Sequence, residues 1–299
     1  MDLPRAEDVR IPSRAGERTA GAPPTRALPS EAPSAEALSS GALSTERLAE
    51  ALGALGVRSG GVLFVQCSLR SLGVVRGGVH AVAGALRRAL GPGGTLVVYT
   101  ATMENSTTSR VNRRRLRGMS ARQTGLFWHD IPPFDPRRTP ASRSVGLLAE
   151  TVRLLPGALR SAHPQTSFAA VGPLAHAVVD GHALTSHLGE QSPLARLYEL
   201  DAQTLLIGIP LGASTVLHLA DHRAGRMGRQ MYSCKVLGAD GAPRWVSFTD
   251  AALDDLHFPE LAGLVAPRLR SLRAGPVGAA ACLLADVREL VDEAARVPL

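Results

Sequence analysis

The stretch from Ser214 to Arg223 contains the residue types that proton transfer needs. Asp221 and His222 follow His218 by three and four positions, so the three side chains share one face if the stretch is helical. Histidine is the usual general base near neutral pH, and a nearby carboxylate can fix its tautomer. We therefore predict His218 as a general base with Asp221 beside it. The simpler alternative is a histidine that packs against a sheet.

The same residues also allow zinc chemistry. The spacing His-x-x-Asp-His is that of an inverted zinc-hydrolase motif, with aspartate in place of glutamate. A catalytic zinc needs a third protein ligand. The candidates are His163, His187 and His257, none of which lies in a companion motif. A zinc hydrolase built on His218 and His222 therefore stays open from these residues alone.

The segment 66–78, QCSLRSLGVVRGG, has the composition of a phosphate-binding turn. It follows an apolar run and leads into a helical pattern, and free N–H groups at the start of a helix attract anions. Ser68 and Ser71 add hydroxyl groups, Arg70 adds charge, and Gly73 allows close approach of a ligand. An ordinary turn between a strand and a helix has a similar composition, so the spacing alone leaves both interpretations open.

The segment Thr249–Glu260, which we call the acidic segment, reverses the sign of an arginine-rich chain. It contains Asp250, Asp254 and Asp255, and its only basic residue is His257. Carboxylates are the groups that a multiply protonated amine would need. Most charge clusters are solvated turns, and this interpretation also stays open.

The elements that would position these residues follow an α/β order. The predicted strands lie at 62–65, 95–100, 167–171 and 204–209. The predicted helices lie at 44–55, 79–90, 146–155 and 215–223. The first βαβ unit predicts parallel pairing, and ligands of such sheets bind at the carboxyl ends of the strands.

Two further segments interrupt this order. Residues 231–260 predict a small β-rich excursion, with hairpin strands at 231–237 and 244–248. The polar, arginine-rich segment 104–143 predicts either a helix over the sheet or an insertion at the mouth of a site.

The composition indicates one folded domain in a chain of 299 residues with a formal net charge of +7. Residues 1–43 have few large apolar side chains and predict a disordered extension, which leaves 44–299 as the domain. No apolar run approaches the roughly 18 residues of a membrane helix, and a secretory signal is not recognisable. The three cysteines lack paired spacing, which fits the reducing cytoplasm. A basic stripe with interleaved aromatic residues, typical of nucleic-acid binding, is also missing.

Seven motifs, taken in order, resemble one enzyme family. They read QCSLRSLG, GPGGTLV, FDPRRTPASRSVG, RSAHPQTSFAAVG, SPLARLYEL, LLIGI and TVLHLAD. Between about Ser44 and Val287 the chain resembles the aminoglycoside N(3)-acetyltransferase family. The resemblance implies a three-layer α/β/α fold with a largely parallel central sheet. It also implies acetyl-coenzyme A as the donor, a 2-deoxystreptamine aminoglycoside as the typical acceptor, and no metal.

The resemblance also implies roles for individual residues. It implies that QCSLRSLG lies along the cofactor and that an acidic residue, here Asp250, lies beside the catalytic histidine and the substrate amine. The expected catalytic residues are His218, Asp250 and Asp221. The expected acetyl-coenzyme A site consists of Ser68, Leu69, Arg70, Ser71, Gly73 and Thr100. The expected acceptor site consists of Asp250, Asp254 and Glu104.

The chain departs from the family pattern at two places. The strand before the cofactor turn typically ends His-Ser-Ser, whereas here it ends Gln66-Cys67-Ser68. The helix usually reads Asn-Thr-x-x-His-Leu-Ala-Glu, whereas here Ser214 replaces the asparagine and Asp221 the glutamate. These changes bear on the identity of the acceptor more than on the reaction.

The expected mechanism is direct attack of the amine on the thioester. A variant uses Cys67 as a covalent acyl carrier. The alternatives are a biosynthetic acyltransferase of the same fold acting on another amine, a non-catalytic relative, and the zinc hydrolase. We expect a cytoplasmic monomer or homodimer that binds a small-molecule amine and neither nucleic acid nor a membrane.

Overall fold

The structure, a computed structural model, describes residues 42–299. These residues form a seven-stranded sheet with helices on both faces and a separate two-stranded hairpin. The strands are β1 (Val62–Cys67), β2 (Thr95–Tyr99), β3 (Leu159–Arg160), β4 (Phe168–Val171), β5 (Gln203–Ile207), β6 (Arg229–Leu237), β7 (Pro243–Ala251), β8 (Arg273–Val277) and β9 (Ala280–Asp286). The helices are α1 (Thr45–Leu55), α2 (Gly78–Leu90), α3 (Arg110–Leu116), α4 (Ala121–Asp130), α5 (Leu147–Arg153), α6 (Ala175–Val179), α7 (Pro193–Glu199), α8 (Leu217–Ala224), α9 (Phe258–Val265) and α10 (Val287–Arg296).

The strand order of the main sheet is β3-β4-β2-β1-β5-β9-β8. β1 pairs in parallel with β2 and β5, and α2 connects β1 to β2, so the predicted βαβ unit is confirmed. The strands on both sides of this centre pair antiparallel. The expected three-layer α/β fold is confirmed, with parallel pairing at the centre of a mixed sheet.

Successive side chains on the strands point to opposite faces and build two cores. Phe64 and Leu206 pack with helices α6 to α10 on one face. Leu63 and Leu205 pack with α1, α2 and α5 on the other face. Because both faces are covered, the central strands are apolar at nearly every position, as is typical of buried parallel strands.

The start of the fold agrees closely with the sequence patterns. The hydroxyl of Ser44 accepts a hydrogen bond from the N–H of Arg47 and caps α1. Gly56 ends the helix with a φ of 109°, which favours glycine. Leu43 already pairs with Val75 in a short bridge. Residues 1–41 of the predicted extension lie outside the described residues.

The predicted hairpin and insertion are both present. β6 and β7 form the hairpin, with a small core of its own made of Tyr232, Cys234 and Phe248. The insertion forms α3 and α4, and the ring of Trp128 on α4 packs edge-on against Trp245 on β7, with centroids 5.9 Å apart. In residues 42–299, no helix combines the length and the apolar character needed to cross a membrane.

Candidate active site

The turns after the three central strands meet at one edge of the sheet. They are 68–73 after β1, 100–105 after β2 and 208–216 after β5. Because β1, β2 and β5 are parallel, their carboxyl ends lie side by side, which is where ligands bind in sheets of this kind. The histidine helix α8 begins directly after the third turn, so the two main predicted motifs share this edge.

The turn after β1 contains a short 3-10 helix (Leu69–Leu72). The N–H of Ser68 donates to the carbonyl of Ile207 at 2.9 Å, and the hydroxyl of Ser71 donates to the carbonyl of Ser68 at 2.6 Å. The turn after β5 comes so close that a Cβ on Gly208 would overlap the Ser71 hydroxyl. The two turns therefore form one tightly packed unit.

The residues expected to bind acetyl-coenzyme A fall into two groups. Leu69 is partly buried, Arg70 is exposed, and Gly73 has a φ of 80°, which favours glycine. With Ser68 and Ser71 they form the surface of the turn. Thr100 differs, because its side chain is fully buried and lies 3.2 Å from the Ser167 hydroxyl. Its hydroxyl is therefore engaged inside the fold.

Gln66 connects the end of β1 to the loop that precedes α8. Its Oε1 accepts a hydrogen bond from the N–H of Thr215 at 2.8 Å, and its Nε2 donates to the carbonyl of Ala213 at 3.3 Å. An amide can satisfy a donor and an acceptor at the same time. The residue that departs from the family pattern thus holds the loop that carries His218.

His218 lies on the first turn of α8 with its ring edge-on to Phe258, at a centroid distance of 4.7 Å. Its Nδ1 is buried and has no hydrogen-bond partner among the described residues. Burial lowers the pKa of His218 to about 4, although the charges of Asp255 and Asp221 oppose this shift. The imidazole is therefore unprotonated at neutral pH and can accept a proton.

Asp221 is buried one turn further along α8 and has two cationic or titratable neighbours. Its Oδ1 accepts from Arg226 at 3.0 Å, and its Oδ2 lies 2.7 Å from Nε2 of His257. No hydrogen bond joins Asp221 to His218, so the expected orienting contact is not formed and Asp221 acts on His218 through its charge. From the sequence, His257 was predicted only as a candidate zinc ligand, and its pairing with Asp221 was not predicted.

Asp250 is buried on β7, but its partner is His187 and not His218. Its Oδ2 accepts from the backbone N–H of His187 and lies equally close to Nδ1 of that ring, at 2.6 Å in both cases. Burial would raise the pKa of Asp250, but the hydrogen bonds from His187 hold it below its usual value. The expected pairing of Asp250 with His218 is therefore replaced by an anchor between the hairpin and the body of the fold.

Gln165 determines how protons are distributed in this pair. Its amide nitrogen donates to the carbonyls of Asn105 and Ser233, so its Oε1 must be the atom that faces Nε2 of His187 at 2.7 Å. Nε2 of His187 consequently carries a proton.

Glu104, expected at the acceptor site, lies in the turn after β2. Its carboxylate accepts a short hydrogen bond from the Ser142 hydroxyl, and its other oxygen lies 3.8 Å from Nη2 of Arg115. The side chain remains partly exposed. Glu104 thus offers a surface carboxylate at this edge, already paired with an arginine of α3.

The exposed carboxylates of the acidic segment lie next to the catalytic candidate. Asp254 is exposed and accepts from the N–H of Leu256 at 3.1 Å. Asp255, also exposed, forms an ion pair of 3.0 Å with Arg110. Among the charges that raise the pKa of His218, that of Asp255 is the strongest. Asp255 also accepts from the N–H of Phe258, whose ring contacts His218, so the acidic segment borders this site.

The geometry gives less support to the two alternatives from the sequence, a covalent role for Cys67 and a zinc hydrolase. Burial raises the pKa of Cys67 to about 12, so its thiol is protonated at neutral pH and is a poor nucleophile. Within residues 42–299 no three His, Cys, Asp or Glu side chains are grouped to hold a metal ion. His222 packs closely against Gly189.

Two surface depressions lie at the opposite, amino-terminal edge of the central strands. One is lined by residues that include Arg87 and Gly172, the other by residues that include Arg58 and Asp286. Neither contains a residue of the site at the carboxyl edge, where the titratable groups converge.

Known proteins with the same sequence pattern and fold support this assignment. Residues 64–297 match the family model described as aminoglycoside 3-N-acetyltransferase. An aminoglycoside N(3)-acetyltransferase III from Salmonella sp. is 38% identical over 256 residues, which cover 82% of this chain and 87% of that protein.

Two solved structures share the fold over nearly their whole length. The YokD protein from Bacillus subtilis has a TM-score of 0.79 at 29% identity and covers 85% of this chain and 93% of its own. A binary complex of AAC-IIIb with CoASH has a TM-score of 0.72 at 28% identity and covers 85% of this chain and 95% of its own.

The fold, the edge site and these matches together define an acyltransferase enzyme. More specifically, the chain belongs to the aminoglycoside 3-N-acetyltransferase family, which confirms the resemblance seen in the sequence.

Proposed function

We propose that the protein transfers the acetyl group of acetyl-coenzyme A to an amine of an aminoglycoside-like acceptor, with His218 as the general base. The observation that carries this proposal is the state of His218. Its buried Nδ1 has no hydrogen-bond partner among the described residues, and its lowered pKa keeps the ring unprotonated. A buried polar group without a partner is costly in a fold, so its presence favours a functional role.

The reaction follows from this arrangement. The amine nitrogen attacks the thioester carbonyl carbon, and the N–H proton of the attacking amine passes to the imidazole of His218. The C–S bond then breaks, the electron pair leaves with sulfur, and the thiolate takes up a proton to give free coenzyme A. General-base action of this kind contributes about 10² to 10⁴-fold in rate.

The turn after β1 supplies the donors for the developing oxyanion. The N–H groups of Ser68 and Ser71 are already used within the fold. Leu69 and Arg70, at the start of the 3-10 helix, have no intrahelical acceptor for their N–H groups. We therefore assign the oxyanion contacts to these two amides. Each such donor raises kcat by on the order of 10²-fold or more.

The carboxylates divide into three roles. Asp254, Asp255 and Glu104 are exposed or partly exposed at the edge and would contact a cationic acceptor. Asp221 tunes His218 through its charge. The carboxylate of Asp250 is hydrogen-bonded to His187, so its proposed role is to hold the hairpin in position.

A thiol-release assay with acetyl-coenzyme A and a panel of aminoglycosides tests the proposal. His218→Gln is expected to lower kcat by about 10² to 10⁴-fold and to leave the Kd of coenzyme A unchanged. His222→Gln, on the same helix, is the matched control and should retain turnover. Undiminished turnover in His218→Gln, or no acetylation of any compound in the panel by the native protein, contradicts the proposal.

The cellular setting is a prediction as well. Cys67, Cys234 and Cys282 are all unpaired thiols, which supports a reducing compartment. We propose that the enzyme acts in the cytoplasm on a small-molecule amine.

A further inference from the structure

The helix α3 brings arginine charge to two carboxylates of the proposed acceptor site. Nη2 of Arg110 lies 3.0 Å from Oδ1 of Asp255, and Nη2 of Arg115 lies 3.8 Å from Oε1 of Glu104. The two arginines are five positions apart on one short helix. α3 therefore connects the turn after β2 to the acidic segment.

Together with Asp254, these two carboxylates are the ones that a cationic acceptor would meet. The carbonyl of Asp255 accepts from the N–H of Phe258 at 3.2 Å, and the ring of Phe258 lies 4.7 Å from that of His218. Glu104 lies at the carboxyl end of a central strand, where ligands of this fold bind. Each carboxylate is thus both near the reacting position and paired with a guanidinium of the same chain.

The pairing changes which acceptor is favoured. An ammonium group that binds Asp255 or Glu104 must displace an arginine, or share the carboxylate with it at the cost of like-charge repulsion. The chain as a whole is also positive, with a formal charge of +7. An acceptor with few ammonium groups avoids both penalties, whereas a polyamine meets both.

We propose that Arg110 and Arg115 are specificity-determining residues that bias this site toward amines of low positive charge. The inference rests on the proposed acetyl transfer and adds the charge class of its acceptor. The same helix offers a control, because Arg113 and Arg114 are exposed and form no ion pair with another described residue.

The experiment compares two double variants that lose the same charge from the same helix. One is Arg110→Gln with Arg115→Gln, and the other is Arg113→Gln with Arg114→Gln. The Kd of the polyamine aminoglycoside sisomicin is measured by calorimetry in about 0.15 M salt, where charges more than about 8 Å apart are largely screened. Its KM and kcat come from thiol release, and a thermal melt confirms that both variants are folded.

The first double variant is expected to bind sisomicin about 2- to 30-fold more tightly than the native protein, since two exposed ion pairs no longer compete. The Kd of sisomicin for the second double variant should change by less than about 2-fold in the same salt. The affinity for 2-deoxystreptamine, which has two amines, should increase less than that for sisomicin in the first double variant.

An equal change of the sisomicin Kd in both double variants would mean that only the net charge matters, and this would overturn the proposal. Unchanged or weaker sisomicin binding in the first variant overturns it too, as does the absence of sisomicin binding in all three proteins. The Kd does not depend on turnover. Tighter sisomicin binding by the first variant without any acetylation would therefore support the charge selectivity and refute the proposed function. Acetylation that depends on His218, without a Kd difference between the variants, would support the proposed function and refute the charge selectivity.

Discussion

Replacing Asp250 by asparagine perturbs the buried pair with His187 while nearly preserving the volume of the side chain. The carboxylate accepts from three donors: the backbone N–H of His187, Nδ1 of the same ring, and the N–H of Ala251 at 2.7 Å. An asparagine has one oxygen and one NH2 group. In either orientation its NH2 faces a backbone N–H, so one buried donor is left without an acceptor.

The magnitude follows from the burial of this pair. A buried donor without a partner costs about 1–3 kcal/mol. We expect Asp250→Asn to lower the free energy of unfolding by about 1–3 kcal/mol, a sizeable part of the roughly 5–15 kcal/mol of a typical domain.

Urea unfolding can report this loss at two levels. The chain has two tryptophans. Trp245 lies on strand β7 of the hairpin, and Trp128 lies on α4, which packs against it. Their fluorescence reports on the hairpin, whereas far-ultraviolet circular dichroism reports on the whole fold. In Asp250→Asn the fluorescence midpoint should move to lower urea by more than the circular dichroism midpoint does.

Asp240→Asn is the matched control in the same hairpin. Asp240 is exposed and pairs with Arg244 at 2.7 Å, so its loss should leave both midpoints almost unchanged. A similarly small effect for Asp250→Asn would refute the reasoning about the buried pair. A protein with normal urea midpoints but a hundredfold lower kcat would instead place Asp250 in the chemistry.

Three further outcomes are expected. Burial lowers the pKa of His182 to about 4, so the unfolded chain binds a proton that the folded protein excludes, and stability falls as the pH drops from about 6.5 to 4. His182→Gln should reduce this slope by up to about 1.4 kcal/mol per pH unit in urea titrations, and an unchanged slope would contradict the argument from burial. Gln66→Leu removes the acceptor of the Thr215 N–H and should lower kcat about 2- to 10-fold with an unchanged Kd for coenzyme A; a lower melting temperature with normal kcat would limit Gln66 to a structural role. Cys67→Ala should keep kcat within about 2-fold in thiol release because the thiol is protonated, and a hundredfold loss would support the covalent variant.

Local patterns were sufficient for the elements that carry the site. α1 begins after Ser44 and ends at Gly56 as its capping residues predict, and β1, α2 and β2 follow from their apolar spacing. The hairpin was recognisable because its strands flank a glycine-rich turn. By contrast, no element was predicted after residue 260, although β8, β9 and α10 complete the sheet and one core. β9 pairs antiparallel with β5, and such a long-range pairing leaves no periodic signal of its own.

The sequence by itself determined the class of the protein and the βαβ centre, and it singled out His218 as the proposed general base. These depend on residues close together in the chain, whose spacing is set by the geometry of one strand, turn or helix. Only the tertiary structure decided which charges meet. His187 lies 63 positions from Asp250, and Arg110 lies 145 positions from Asp255. Whether a carboxylate orients a base, anchors a hairpin or binds an arginine depends on burial and on its partners, and these exist only once distant segments have packed together.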